Sequence, residues 1–240
     1  MKTRNSKTGI LGFSSSLELR TFRSSSRSAR GFALIELLVA VVLFGVITSF
    51  IILAYNRVGG QIFVTTLAYE IALSFREAQS YGMSVHAFRP SGGSGAGDFD
   101  VGYGIHFDSR NLGTYLMFAD QGGQAGDGLF NGTYGTEYNS TGCISTTECI
   151  SVFKIEKGNL ISKFCGMRAD NGAEDCHSAT TTAITFLDVA FLRPNPDAII
   201  TTSETVLVGQ KYKAASVHLR SPTGENRKVE VWNTGQISIK

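Results

Sequence analysis

One acidic side chain, Glu36, stands inside an otherwise apolar run of the sequence. The run FALIELLVAVVLFGVITSFIILA extends from Phe32 to Ala54, and Glu36 is the single ionisable residue in its 23 positions. A carboxylate inside a membrane helix costs about 2.5–3.5 kcal/mol on insertion scales, so it needs a partner or a purpose. The simpler alternative is that Glu36, one turn inside the run, reaches the lipid headgroups or is protonated.

The residues around Glu36 indicate what that purpose is. The segment RGFALIE at 30–36 resembles the prepilin peptidase site of type IV pilins and type II secretion pseudopilins. In that family the leader is cleaved after the glycine, the new terminal phenylalanine is N-methylated, and a glutamate is fifth in the mature chain. The resemblance implies cleavage between Gly31 and Phe32, methylation of Phe32, and a role for Glu36 in assembly. Ala33 departs from the Thr or Ser that the family prefers, and the leader is long for the family.

The resemblance also gives Glu36 a partner that exists only in an assembly. Cleavage after Gly31 creates an amine on Phe32 at the edge of the apolar run. When such helices pack side by side with an offset in register, this amine meets the carboxylate of a neighbouring helix. The buried charge of Glu36 then helps to fix the register between subunits.

The charge of the chain divides at the same glycine. Residues 1–31 contain seven basic residues and one acidic residue, a net charge of +6, whereas residues 32–240 contain 15 basic and 19 acidic residues, a net charge of −4. Duplex binding requires a basic face, so the acidic body argues against nucleic acid as a partner. The basic leader instead places the N-terminal side in the cytoplasm by the positive-inside rule.

The apolar run has the length of a transmembrane helix. At 1.5 Å per residue it spans roughly 35 Å, compared with about 30 Å of bilayer hydrocarbon. It exceeds the roughly 7–15 apolar residues of a secretory signal, and no small-residue cleavage site follows it at 55–57. We therefore predict a single-pass protein of the cytoplasmic (inner) membrane, with a cytoplasmic N-terminus and an extracytoplasmic head. The resemblance implies that it enters a pilus or pseudopilus on assembly.

All four cysteines fall in the part of the chain that is expected to be exported, at Cys143, Cys149, Cys165 and Cys176. An even number of cysteines outside the cytoplasm favours disulfides. We prefer the pairs Cys143–Cys149 and Cys165–Cys176 because each closes a short loop. Zinc is the rival ligand, although the spacing contains no CxxC motif, and crossed pairing or free thiols stay open.

A second polar segment is a candidate calcium site. Asp120 and Asp127 flank a loop rich in glycine and glutamine, and Asn131 follows closely. Carboxylates and flexible carbonyl groups suit Ca²⁺, but the spacing is not that of a 12-residue EF-hand loop. We favour an ordinary Asp/Gly turn and predict no cofactor; calcium held by Asp120 and Asp127 is the alternative.

The remaining residues show no pattern of an active site. His86, His106, His177 and His218 are scattered, and the sequence contains neither an HExxH motif nor a GxSxG elbow. The glycine-rich segment at 90–97 lacks the Gly-Lys-Ser/Thr ending of a phosphate-binding loop. We therefore predict that the chain is not an enzyme.

Two kinds of element must position these residues. A helical stripe continues the apolar run as far as Gly82, through Val64, Leu67, Ala68, Ile71, Phe75 and Ala78. From Ser84 the texture changes to short β-like runs at 84–89, 101–107, 114–118, 150–156, 160–164, 182–192, 205–209, 214–220, 228–233 and 236–240. Because no helices of 10–15 residues alternate with these runs, an antiparallel sheet is favoured over βαβ units.

The elements predict an α+β fold, in which a long N-terminal spine helix, transmembrane in its first half, packs against a mainly antiparallel β-sheet head. The expected divisions are a basic cytoplasmic leader removed on processing at 1–31, a transmembrane and assembly helix at 32–54, its amphipathic continuation at 55–82, and an extracytoplasmic β-rich head at 83–240.

The outer half of the helix narrows the expected function. Residues 67–82 resemble the helix end of the H-type minor pseudopilins and FimT-like pilins, and residues 184–186 and 191–198 also look similar to the H-type family. This implies a minor structural subunit, whose partners are the prepilin peptidase, other pilins or pseudopilins, and an inner-membrane assembly platform. The alternative is a membrane-tethered extracytoplasmic protein that uses the prepilin export route and binds a ligand or surface through its head.

Overall fold

The protein is described by a computed structural model over residues 33–84, 88, 101–121, 127–144, 148–180, 183–203 and 212–240. The chain divides into two compact units, Met1–Ile47 and Thr48–Lys240. Within the described residues it forms one long helix, α1 (Leu34–Met83), which begins in the first unit and ends in the second, followed by twelve short β-strands. The predicted fold class, α+β with a long N-terminal helix and a mainly antiparallel β-sheet domain, is confirmed.

In the second unit α1 buries one face. The buried residues of this face are the ones that the helical stripe predicts: Val64, Leu67, Ala68, Ile71, Phe75 and Ala78. Residues three or four positions apart lie on one side of a helix, so their apolar side chains together form the surface that packs on the sheets. Near the end of α1, a Cβ atom on Gly82 would lie 2.3 Å from the carbonyl oxygen of Phe191. Glycine is therefore required at this position by the close approach of the helix to a strand.

The strands form two five-stranded sheets and a two-stranded ribbon. Their bounds are β1 Gly102–Asp108, β2 Thr114–Asp120, β3 Tyr138–Asn139, β4 Gly142–Cys143, β5 Cys149–Lys154, β6 Leu160–Arg168, β7 Glu174–Cys176, β8 Phe186–Phe191, β9 Ala198–Thr202, β10 Tyr212–Arg220, β11 Asn226–Trp232 and β12 Ile237–Ile239. Sheet one has the order β5-β2-β1-β8-β9, and sheet two has the order β12-β11-β10-β6-β7. Every pair of neighbouring strands is antiparallel.

The main core lies where α1 meets both sheets. Phe107 of sheet one contacts Phe75 of the helix and Phe164 of sheet two, with ring centroids 6.0 and 6.3 Å apart. All three rings are fully buried. Burial of one such side chain stabilises a fold by about 1.5–3 kcal/mol, so this junction holds the three layers of the second unit together.

Sheet one is covered on both of its faces. Every residue of β1 is buried, although successive side chains of a strand point to opposite faces. Ile105 belongs to the main core, whereas the ring of His106 lies against Phe130, with centroids 4.8 Å apart. Phe130 belongs to a second, smaller core with Phe118 and other residues. The loop that carries Phe130 therefore encloses a polar side chain on the outer face of sheet one.

Several elements differ from the predicted strands. Strand β8 is shorter than the predicted run at 182–192, and β7, β9 and the β3–β4 ribbon are not predicted. The run at 205–209 and most of the run at 84–89 lie outside the described residues.

Candidate functional site

The first candidate site is the beginning of α1. Glu36 lies in the first helical turn, where a negative charge interacts favourably with the helix dipole. Its backbone N–H donates to the carbonyl oxygen of Ala33 at 2.9 Å, and its side chain is exposed. No basic side chain of the described residues pairs with its carboxylate. Gly31 and Phe32, the residues of the predicted cleavage site, lie outside the described part of the chain.

The helix around Glu36 presents a continuous apolar surface. Leu34 is 82% exposed, Phe44 is 74% exposed and Leu53 is 68% exposed, and the large apolar residues between them are exposed as well. Among the described residues, α1 is the one helix that is long and apolar enough to cross a membrane. Such a surface is far larger than the apolar patches that soluble monomers expose, so lipid or other protein must cover it.

The four cysteines form two disulfides in the second unit, Cys143–Cys149 and Cys165–Cys176. The prediction that the exported part of the chain contains disulfides is thereby confirmed. Cys165 of β6 stands directly opposite Cys176 of β7 in the sheet, and a carboxylate oxygen of Glu174 lies within 4.8 Å of both sulfur atoms. A disulfide sulfur is not a thiolate, so these three residues do not form a metal-ligand set in the oxidised chain.

The residues predicted as calcium ligands accept backbone hydrogen bonds. Oδ2 of Asp120, which is fully buried, accepts from the N–H of Gly128 at 2.8 Å. Oδ1 of Asp127 accepts from the N–H of Leu129 at 2.9 Å. Both carboxylates therefore shape the start of the following loop. Residues 122–126 lie outside the described part of the chain, and calcium at Asp120 and Asp127 stays a prediction.

A buried polar cluster in sheet one is not predicted by the sequence. Nδ1 of His106 lies 2.5 Å from Oδ1 of Asp188, and Nε2 of His106 lies 3.3 Å from the hydroxyl oxygen of Tyr138. The Tyr138 hydroxyl donates to Oδ2 of Asp108 at 2.7 Å. Asp108 in turn accepts hydrogen bonds from Nε and Nη2 of Arg110 at 2.6 to 3.0 Å. The chain of contacts joins β1, β3 and β8.

The hydrogen-bond pattern fixes the number of protons in this cluster. The one hydroxyl hydrogen of Tyr138 goes to Asp108, so Nε2 of His106 must carry a hydrogen to make a favourable contact with Tyr138. One further proton then lies between Nδ1 of His106 and the carboxylate of Asp188. Burial raises the pKa of Asp188, which helps to keep this proton in place. The His106–Asp188 pair is therefore neutral overall.

The cluster has the carboxylate–imidazole contact of a catalytic dyad but no activated nucleophile. Burial, reinforced by the hydrogen bond to Asp108, raises the pKa of Tyr138 well above its usual range. Burial alone would raise the pKa of Asp108, but the hydrogen bonds from Arg110 and Tyr138 lower it. Tyr138 is thus a neutral hydrogen-bond donor to a stable carboxylate, and the arrangement tethers β1, β3 and β8.

The other histidines lie apart from this cluster. The His177 ring stacks on Phe164, with centroids 4.8 Å apart, and burial lowers its pKa. His218 lies on β10 of sheet two, and His86 lies outside the described residues. The described histidines therefore do not converge on a common metal or catalytic centre.

Comparison with known proteins bears on the N-terminal site alone. Residues 26–52 match the family described as the prokaryotic N-terminal methylation motif. No curated protein and no solved structure matches the chain. The matched segment includes the glycine, the phenylalanine and Glu36 of the predicted processing site and most of the exposed apolar part of α1. This motif is the prepilin-type signature, and the chain is therefore a type IV pilin-like or pseudopilin-like protein that is processed by prepilin peptidase.

Proposed function

We propose that the chain is a minor structural subunit of a type IV pilus or a type II secretion pseudopilus, and that it has no enzymatic activity of its own. The observation that carries this proposal is the coincidence of the prepilin-type signature at 26–52 with the exposed apolar surface of α1. Lipid covers this surface before assembly, and the helices of neighbouring subunits cover it afterwards. The other subunits and an inner-membrane assembly platform are the partners.

The proposal assigns a role to each residue of the processing site. Prepilin peptidase cleaves between Gly31 and Phe32, which removes the basic leader, and Phe32 is N-methylated. The amine of Phe32 in one subunit then pairs with Glu36 of its neighbour. An exposed carboxylate that pairs with no basic side chain of the described residues is consistent with a partner outside its own chain.

The same proposal orders the chain relative to the membrane. The leader at 1–31 lies in the cytoplasm, the segment 32–54 crosses the inner membrane once, and residues 55–82 continue the helix into an extracytoplasmic head at 83–240. The basic excess before the apolar run supports this orientation. The two disulfides of the second unit support an oxidising compartment for the head.

Mass spectrometry of the mature N-terminal peptide tests the processing step. We expect a chain that begins at Phe32 and carries one methyl group on its amine. Gly31→Leu should leave the leader attached, because a bulky side chain blocks the close approach of the peptide to the protease. A mature chain that begins at Met1 or beyond Tyr55 would contradict the proposal.

A charge-removal variant tests the assembly step. Glu36→Leu removes a carboxylate from the apolar run, so membrane insertion should improve by up to about 2.5–3.5 kcal/mol. If Glu36 pairs with a neighbouring amine, the variant should insert and be cleaved, yet be lost from sheared pili or pseudopili. Glu70→Leu, at an exposed glutamate farther along α1, is the matched control and should assemble normally.

The two possible functions give different results in this assay. Normal incorporation of Glu36→Leu would show that the charge does not set the register. Absence of the parent protein from every pilus or pseudopilus fraction, with normal cleavage, would favour the membrane-tethered binding protein instead.

A further inference from the structure

A pocket opens on the outer face of sheet one, beside the polar cluster of His106. Its volume is about 430 Å³, within the roughly 300–1,000 Å³ of small-molecule sites. Its lining comes from the end of β1, the start of β8 and the loop 128–133. The residues that the argument uses are Ser109, Arg110, Phe130, Thr133, Thr185 and Phe186.

The loop that forms one wall is held in place by buried carboxylates. Oδ2 of Asp188 accepts from the N–H of Phe130 at 3.1 Å, and Oε2 of Glu148 accepts from the N–H of Asn131 at 2.7 Å. Asp188 and Glu148 are 0% and 1% exposed. Hydrogen bonds from backbone to buried charged acceptors are among the stronger ones in proteins, so this wall is organised before any ligand arrives.

Two phenylalanines supply aromatic surface to the pocket. The rings of Phe130 and Phe186 lie 4.8 and 6.0 Å from the ring of His106. Phe186 is half-buried, so part of its ring is open to solvent. A Cβ atom on Gly132 would lie 2.2 Å from Cζ of Phe130, and glycine at this position therefore allows the loop to close over that ring.

The charges that line the pocket compensate one another. Arg110 and Asp108 form an ion pair with an Nη2–Oδ2 distance of 2.6 Å. His106 and Asp188 share one proton and are neutral as a pair. An anionic or cationic ligand would thus meet no uncompensated charge of opposite sign, and transfer of its charge from water into this site would be unfavourable.

Hydroxyl groups dominate the remaining polar lining. The side-chain hydroxyls of Ser109, Thr133 and Thr185 make no hydrogen bond to any described residue, and Thr133 and Thr185 are exposed. Each hydroxyl both donates and accepts, and a guanidinium has five N–H donors. The Arg110 side chain is 58% exposed beside them. The pocket therefore offers donors and acceptors together, next to an aromatic surface.

From these features we propose that the pocket binds a neutral saccharide. Sugar hydroxyls match a lining that both donates and accepts, the apolar C–H face of a sugar ring packs on the exposed part of Phe186, and the balanced charges suit an uncharged ligand. An aliphatic ligand would fill the volume but leave the three hydroxyls unpaired. This binding site is independent of the proposed role in a pilus or pseudopilus.

Saturation-transfer difference NMR on the full chain tests the proposal. The protein is held in a detergent without a sugar headgroup, and the probes are D-glucose, D-galactose, D-mannose, N-acetyl-D-glucosamine and their β-linked disaccharides, with D-glucuronate as the charged probe. We expect a saturable signal from at least one neutral probe, strongest on the protons of one ring face. The double variant Thr133→Val/Thr185→Val should weaken its Kd about fivefold or more, since it removes two hydrogen-bonding groups.

Matched variants separate this site from nonspecific binding. Thr180→Val removes an exposed hydroxyl outside the pocket and should leave the Kd unchanged, and Phe186→Leu should abolish the preference for one ring face. An unchanged tryptophan fluorescence spectrum and thermal transition show that a variant is folded. The proposal is overturned if no neutral probe gives a saturable signal up to about 50 mM, well above a millimolar Kd. It is equally overturned if D-glucuronate alone binds, or if the double variant binds as the parent does.

Discussion

His218 makes the stability of the second unit depend on pH in a direction that can be worked out. On β10 it stands opposite Lys163 of β6 and Lys228 of β11. Burial, followed by the charges of these two lysines, lowers the pKa of His218 from its ordinary 6.5 to about 4, although Glu174 and Glu230 oppose the shift. The folded protein therefore holds a neutral imidazole at pH values where the unfolded chain binds a proton.

The sign and size of the effect follow from proton linkage. Because the folded pKa is below the unfolded one, stability is complete above pH 6.5 and is lost as the pH falls towards 4. The difference of roughly 2.5 pKa units, at 1.36 kcal/mol per unit, corresponds to at most about 3 kcal/mol of unfolding free energy. His218→Gln removes the titrating group and should flatten this part of the pH dependence.

Urea unfolding of the full chain in detergent measures the effect. Trp232 on β11 is the single tryptophan, so its fluorescence reports on the sheet that contains His218. The parent should lose up to about 3 kcal/mol more than His218→Gln between pH 6.5 and about 4. His177 titrates in both proteins, so its contribution cancels in the comparison. Lys163→Gln should raise the His218 pKa and reduce the slope.

Two results would refute this reasoning. One is an equal loss of stability in the parent and in His218→Gln over the same pH range. The other is an NMR titration of the His218 ring in the folded protein with a midpoint near 6.5, which would mean that neither burial nor the lysines act on it.

Three further substitutions test the packing of the second unit in the same unfolding assay. Replacing Cys165 and Cys176 together by serine opens a loop with a sequence separation of 11 and should lower the unfolding free energy by about 3 kcal/mol, whereas equal stability of the parent with and without reductant would contradict this. Phe75→Ala removes a fully buried ring and should cost about 3–5 kcal/mol; a loss below about 1 kcal/mol would mean that the helix is not packed as described. Asp188→Ala leaves the buried His106 without its acceptor and should cost about 3–5 kcal/mol, with Asp188→Asn less damaging; identical stabilities of parent and Asp188→Ala would exclude the buried pair.

The helix and the central strands are predictable from sequence because burial imposes a period on them. The stripe from Val64 to Ala78 repeats at three and four residues, and these residues form the buried face of α1. The strands β10 and β11 alternate clearly, since one face of sheet two packs in the core and the other is partly exposed. By contrast, β7 contains three residues of which two are acidic, and β9 shows no alternation, so neither carries a strand signal of its own.

The polar cluster is not predictable because its members are brought together only by the topology. His106 and Asp188 are 82 positions apart, and His106 and Tyr138 are 32 positions apart. They meet because β8 pairs with β1 across the sheet order, and because the loop after Asp127 folds over the outer face of β1. In the sequence His106 is one of four scattered histidines. Its alternation with the buried Ile105 and Phe107 indicates a strand, but nothing local indicates a buried outer face.

The attachment of the loop 128–133 to buried carboxylates has a consequence for how this protein can change. The acceptors Asp120, Asp188 and Glu148 bind backbone N–H groups, so they hold the path of the loop without selecting its side chains. A new side chain at an exposed position such as Thr133 alters the chemistry of the pocket while the main chain stays where it is. The loop can therefore accumulate substitutions and acquire a different ligand preference without loss of the fold, which separates the evolution of recognition from the maintenance of stability.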